Sequence, residues 1–156
     1  MKTSLALTGG LAGALLLTGV HQLVRLLDKK EAPRMDKMGE EAIAKSLKPV
    51  GITPPAGEKL YYTAMAGDVV ANTLYYSLVG AGNVKSPWAR GIWLGLSAGL
   101  GAVLLPKPLG LNPVYSNKTN RTRLLTVSYY LLGGLASAAV TCFLNRKRKI
   151  NGPLNG

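Results

Sequence analysis

Four long apolar stretches separated by polar blocks organise the chain. The first runs over 5–27, between Lys2 and Asp28-Lys29-Lys30, and the second over 60–81. The third covers 87–106, opening on Pro87 and closing on Pro106; the fourth covers 124–144, ahead of Arg146-Lys147-Arg148-Lys149. A bilayer core about 30 Å thick takes about 20 mainly apolar residues as a helix, and each stretch meets that length. Proline at a first helical turn is harmless, because its missing N–H would have had no partner there. The pattern predicts an all-α polytopic membrane protein, a four-transmembrane-helix bundle that makes residues 1–156 a single integral membrane domain. The first span continues well past Ala12-Gly13-Ala14 and ends without a small-residue cleavage site, so it reads as a retained helix and not a signal peptide.

The connector 28–59 holds six of the seven acids. Within it, Pro33 to Leu47 predicts a short helix with Met35, Met38 and Ala42 on one face. Lys37–Glu41 and Glu41–Lys45 are i,i+4 pairs on the wet side, and Pro49, Pro54 and Pro55 end the helix. The expectation is a short amphipathic interfacial helix between spans one and two, resting on lipid headgroups. Pro and Gly are dense after Lys107, which predicts a non-helical surface loop over 107–123. Residues 145–156 read as a basic tail.

Small residues recur at helical spacing. Gly91, Gly95 and Gly99 form one row in span three, Gly9 and Gly13 repeat the spacing in span one, and Gly133 pairs with Ser137 in span four. Such GxxxG-type rows let helix backbones approach closely in a membrane. Three spans carry them, which favours packing within one bundle. The alternative is self-association, or docking to other membrane subunits, through the glycine faces.

Composition changes the picture in one respect. Charged residues make up 17% of the chain, against about 25% in an average soluble protein. Yet 19 Lys and Arg against 7 acids leave a net charge of +12. Such an excess raises the question of nucleic acid. The charges sit in short blocks between spans, however, and leave no soluble domain, so the expected partner is the lipid bilayer and not nucleic acid. Arg146, Lys147, Arg148 and Lys149 are candidates for headgroup contact. Four consecutive basic residues directly after a span are hard to translocate, which predicts both termini on the cytoplasmic side. The run Gly91–Gly99 and the later Leu104–Pro113 resemble small bacterial membrane proteins, which implies a bacterial inner membrane but no activity. One cysteine, Cys142, and one histidine, His21, exclude a disulfide scaffold and a His/Cys metal cage within one chain. No cofactor is expected.

A few residues do not suit lipid. Asp68 is the single acid outside the connector and falls well inside span two, and His21 falls inside span one. An ionisable group at the centre of a membrane helix costs about 2.5–3.5 kcal/mol on insertion scales, so it marks a candidate site. Measured from the same membrane face, His21 and Asp68 lie at depths of about 9 and 12 Å, less than one turn apart. Asn72 follows Asp68 on the same helix face, and Tyr129 and Tyr130 enter span four from the same side. These five residues form the candidate intramembrane cluster, with a direct Asp68–His21 contact expected. It admits two readings: an interhelical hydrogen bond that sets register, or a proton-linked site in a small transporter or channel. Arg90 is expected to reach the headgroups. The pairs Tyr61-Tyr62 and Tyr75-Tyr76, with Trp88 and Trp93, fit an aromatic belt near span ends.

Catalysis has no candidate. There is no HExxH, P-loop or GxSxG, and Gly9-Gly10-Leu11-Ala12-Gly13 lies inside an apolar span without the strand that a dinucleotide loop needs. The expectation is therefore a non-catalytic structural or accessory subunit of a membrane assembly, with the transporter as the alternative.

Overall fold

Leu- and Ala-rich segments bounded by Pro, Gly and Ser become helices, and the small residues within them decide which helices meet. The computed structural model describes residues 3–82 and 85–150, apart from the side chain of Lys149. Its helices are α1 (Thr3–Leu27), α2 (Met35–Leu47), α3 (Glu58–Ser77), α4 (Pro87–Leu104), the single turn α5 (Val114–Asn117) and α6 (Asn120–Ile150). The described residues contain no strand, so the all-α expectation holds. Two stretches, Thr3–Leu27 and Asn120–Arg148, are long and apolar enough to cross a membrane. The other two long helices fall short of that measure. α3 carries Glu58, Lys59 and Asp68, and α4 has 18 residues with Arg90 in its first turn.

α6 is the middle of the bundle. α4 packs on one side of it and α1 on the other, α3 packs mainly on α1 while reaching α6 through Tyr76, and α2 leans on α3. Consecutive glycines of α6 serve opposite neighbours. A Cβ on Gly134 would strike the Gly91 carbonyl oxygen of α4, and one on Gly91 would lie 2.5 Å from the Gly134 oxygen. A Cβ on Gly133 would instead lie 2.8 Å from the Tyr76 hydroxyl of α3. The α4 row continues with Gly95 against Leu131 and Gly99 against Val127. On α1, Gly9 faces Thr141 and Ser137, and Gly13 faces the Gly133 oxygen. All six predicted packing glycines thus lie against neighbouring helices of the same chain.

Boundaries differ from the expected spans for local reasons. α3 stops at Ser77, four residues before 81, because Leu78, Val79 and Gly80 donate to carbonyls three residues back and tighten into a turn. Arg90 then donates to the carbonyls of Leu78 at 3.0 Å and Ala81 at 2.7 Å. Such carbonyls are left without partners where a helix ends. Arg90, an exposed residue, thus caps α3. α4 begins at Pro87 with Ser86 as N-cap, its hydroxyl accepting from Ala89 N at 3.3 Å.

α6 starts at Asn120 and absorbs the end of the expected loop, which also contains α5. Nothing interrupts the helix between Leu144 and Ile150, so residues 145–150 of the expected tail are its last turns. Arg146, Lys147 and Arg148 are exposed there; the Lys149 side chain and residues 151–156 lie outside the described residues.

The two long connections join into one cap at one end of the bundle. Arg34 N donates to Tyr115 O at 2.7 Å, Asn112 N donates to the Glu41 carboxylate at 2.9 Å, and Arg121 pairs with Asp28 at 2.9 Å. The Glu31 carboxylate accepts from the Thr119 hydroxyl. α2 forms over nearly the expected residues, with Met38 buried and the Glu41–Lys45 pair at 2.8 Å. Lys37, however, pairs with Glu40 and not Glu41.

Candidate functional site

Under this cap, α1, α2 and α3 line a small, partly open cavity of about 30 Å³. α1 contributes Thr18, His21 and Gln22, α2 contributes Met35 and Asp36, and α3 contributes Ala64, Met65 and Asp68. His21 and Asp68 therefore line one space, as their depths predict. They do not bond to each other among the described residues, which corrects the expected direct contact. His21 Nδ1 lies 3.0 Å from the Leu17 carbonyl one turn back in its own helix. Asp68 Oδ1 accepts from Asn72 Nδ2 at 2.9 Å, and the same amide donates to the Asp68 carbonyl at 2.9 Å. The i,i+4 spacing of Asp68 and Asn72 produces this local closure. His21 Nε2 and Thr18 Oγ1 are buried with no partner.

Tyr129 and Tyr130 close the other side of the imidazole. Their rings meet His21 edge-on, with centroids 5.0 and 6.0 Å away. Both are buried, and the Tyr129 hydroxyl is unpartnered. The cluster is thus assembled as two polar halves, an aromatic wall on α6 and a small cavity between α1, α2 and α3, with His21 between them.

α2 holds the lid of the cavity by charge. Asp36, whose side chain is 6% exposed, accepts from Arg25 at 2.9 Å and from Arg34 at 2.8 Å. Burial works against its ionisation, but the Arg34 hydrogen bonds, the Arg34 charge, the Lys37 backbone N–H and the Arg25 charge overcome that and hold the carboxyl below its usual range. Arg34 is correspondingly pushed up by its bond to Asp36. At the cap rim, Lys45 and the Asn112 backbone N–H hold the Glu41 carboxyl below its usual range.

Two residues carry more than their sequence context suggests. Tyr76, which fits a belt position, is fully buried: its hydroxyl donates to Tyr130 O at 2.7 Å, and its carbonyl accepts from Ser137 Oγ at 3.0 Å. The available signal is Gly133, a notch of the size an aromatic ring needs on a facing helix. Asp36 is the second, and its pairing with Arg25 crosses elements and has no local signature. Tyr62, Trp88 and Trp93 are exposed, as belt positions require. A second, apolar cavity of about 380 Å³ lies where α3 and α4 diverge, lined by Met38, Tyr75, Ala98, Ala102 and Leu105 among others.

No protein-family model, curated protein or solved structure matches the chain.

Proposed function

We propose that the protein is a four-span integral membrane protein with a non-catalytic, structural or accessory role in a membrane assembly. One observation carries the membrane part of this reading. Gly, Ala, Ser, Thr and Tyr make up most of the interior, beside Leu17, Val79 and Val103, while the exterior of the four long helices is rich in Leu, Val, Ile, Phe and Trp. Ser137, Thr126 and Thr141 are at most 1% exposed, whereas Leu15, Val70, Trp93 and Phe143 are 55–73% exposed. Water would expel that surface, with each such side chain worth about 1.5–3 kcal/mol on full burial. Lipid does not, and small residues then become the favourable contact between helices. α3 and α4 share this outward apolar face with α1 and α6, which supports four spans. Both termini then share one face, set as cytoplasmic by the basic end of α6 in an inner membrane of bacterial type.

The experiment is a topology map. Cys142→Ala removes the one native thiol, and single cysteines are then placed at Ser86, Gly51 and Gly110 for a membrane-impermeant maleimide. Four spans place position 86 on the face opposite 51 and 110. Labelling of all three from the same side would mean that only α1 and α6 cross, and would overturn the reading.

The transport reading is favoured by one feature, the shared cavity of Asp68 and His21. Its volume of about 30 Å³ is enough to admit water. Asp68→Asn that assembles normally but abolishes a proton flux in vesicles would establish transport; unchanged flux leaves the structural role.

A further inference from the structure

The small cavity has a chemical polarity that defines its occupant. A carbonyl oxygen only accepts, so the contact from His21 Nδ1 to Leu17 O places a proton on Nδ1. In the neutral imidazole Nε2 is then a bare acceptor, and it is buried and unpartnered. The other groups around the space have the same polarity. Asp68 engages Oδ1 with Asn72 and leaves its second oxygen without a protein partner among the described residues. Gln22 turns its N–H₂ toward the Tyr61 hydroxyl and Met65 sulfur, leaving its amide oxygen. Asp36 is an acceptor already supplied by two arginines. Thr18 Oγ1 is the one lining hydroxyl able to donate, and it is unpartnered too.

Acceptors facing one another across a small, partly open space repel unless a donor lies between them. Unpartnered buried polar groups are also destabilising, because they lose their hydrogen bonds to water without replacement. The volume of about 30 Å³ exceeds the about 10–15 Å³ that admits a water, and a buried water makes about three hydrogen bonds.

We infer that this cavity is a binding site for a water-sized hydrogen-bond donor, a water that donates to His21 Nε2 and to Asp68 and accepts from Thr18 Oγ1. The water supplies the link between α1 and α3 that a direct Asp68–His21 bond was expected to make. It satisfies three groups without placing a net charge in the bundle. Ammonium has the same size and donates in the same way, but cannot accept from Thr18. The inference is independent of whether the protein supports an assembly or moves protons.

His21 is the single histidine of the chain, so its imidazole can be read without assignment. The test uses the full chain, ¹⁵N-labelled at histidine, in phospholipid bicelles, with long-range ¹H–¹⁵N correlation of the ring. The expected spectrum has the proton on Nδ1, Nε2 shifted from the unbonded position by an accepted hydrogen bond, and magnetisation transfer to Nε2 from bound water. Ala64→Leu, which fills the cavity, is expected to return Nε2 to the unbonded position and abolish the transfer. Thr18→Val keeps the volume and removes the hydroxyl, so it should move Nε2 in the same direction by less; it serves alone if Ala64→Leu does not fold. A proton on Nε2, an unbonded Nε2 in the unmodified chain, or an Nε2 unmoved by the variants that fold would overturn the inference. Ammonium chloride against potassium chloride at equal ionic strength separates the sources: an Nε2 shift with ammonium alone identifies ammonium, and no shift identifies water.

Discussion

The seam of α4, α6 and α1 and the cap over α1, α2 and α3 are held by opposite means. At the seam, backbone meets backbone: Gly91 and Gly134 face each other's carbonyls, and Gly99 lies where a Cβ would be 2.7 Å from Val127 Cα. No charge takes part. In the cap, Asp36 bridges Arg25 and Arg34, Asp28 pairs with Arg121, and Glu41 serves both Lys45 and the 107–119 connection. The seam depends on shape, so it tolerates no added atom and is indifferent to pH and salt. The cap depends on charge, so it tolerates added volume at its rim and responds to both. One molecule therefore contains a rigid half and a half that conditions can loosen, and the water-sized cavity lies under the second.

The sharpest break is steric. Gly95→Leu would direct a side chain at Leu131 Cα, 2.8 Å from the position of its Cβ, and at the Tyr130 carbonyl at 2.9 Å. Backbone cannot move aside as a side-chain tip can. Overpacking of a close-packed interior costs about 1–3 kcal/mol and more where backbone is struck. The expected loss is at the top of that range or above, with α4 detached from α6, read by detergent-induced unfolding of the purified protein. Gly82→Leu is the control: although Gly82 has φ 71°, a Cβ there meets nothing within 4 Å, so the cost is that of the turn alone.

Asp36→Asn attacks the other half. It removes a nearly buried carboxylate and leaves two arginines to find other partners. Hydrogen bonds to charged groups are worth about 1.5–3 kcal/mol. Arg25 and Arg34 are 32% and 40% exposed, so they recover part of this in solvent, and about 1–2 kcal/mol is expected. The pH dependence has a definite sign. A carboxyl whose folded-state pKa lies below its unfolded value contributes stability that is complete above the unfolded value, about 3.9, and is lost as pH falls through the lower folded value. Acidification below about pH 4 should therefore increase hydrogen exchange in α2 while the α4–α6 seam stays protected. Equal exchange in both would erase the distinction drawn between them.

Tyr76→Phe tests the seam with a smaller change. The ring keeps its place against Gly133, and one bond to Tyr130 O is lost. Interhelical hydrogen bonds in membranes average about 0.6 kcal/mol with a maximum near about 1.7. The expected loss lies in that interval, measured as above. Tyr76→Ala should cost several times more, because the ring fills the notch between Gly13 and Gly133. Similar losses in both variants would mean that the hydroxyl and not the shape holds α3 to α6.

The same contrast governs how much could be read from the residues in order. The seam was legible because its rule is local: glycines four apart on one helix must lie on one face, and Gly91, Gly95 and Gly99 do. α2 was legible from its methionine face and its i,i+4 charges for the same reason. What periodicity cannot give is which partner each face takes. Tyr76 looks like any tyrosine near a span end until Gly133 is opposite it. Asp36 looks like a solvated acid until Arg25 arrives from another helix. Asp68 and His21 were placed at one depth by helical rise alone, but the space between them depends on Ala64 and on the α2 lid, neither of which marks a site in sequence.

The smallest effect completes the comparison. Arg121 is 67% exposed and its pair with Asp28 is a surface ion pair, so Arg121→Gln should cost no more than about 1 kcal/mol. Its value lies in salt dependence. Raising salt from about 0.1 M to about 1 M shortens the Debye length from about 10 Å to about 3 Å, which screens exposed pairs far more than enclosed ones. The unmodified protein should lose a little cap stability across that range, and Arg121→Gln should lose less, since the screened pair is already gone. Asp36→Asn should keep nearly the full salt response, because it leaves Arg121–Asp28 intact. If Arg121→Gln leaves the salt response unchanged and Asp36→Asn removes it, the rim pair contributes nothing, and the whole charge dependence of the cap belongs to the lid over the cavity.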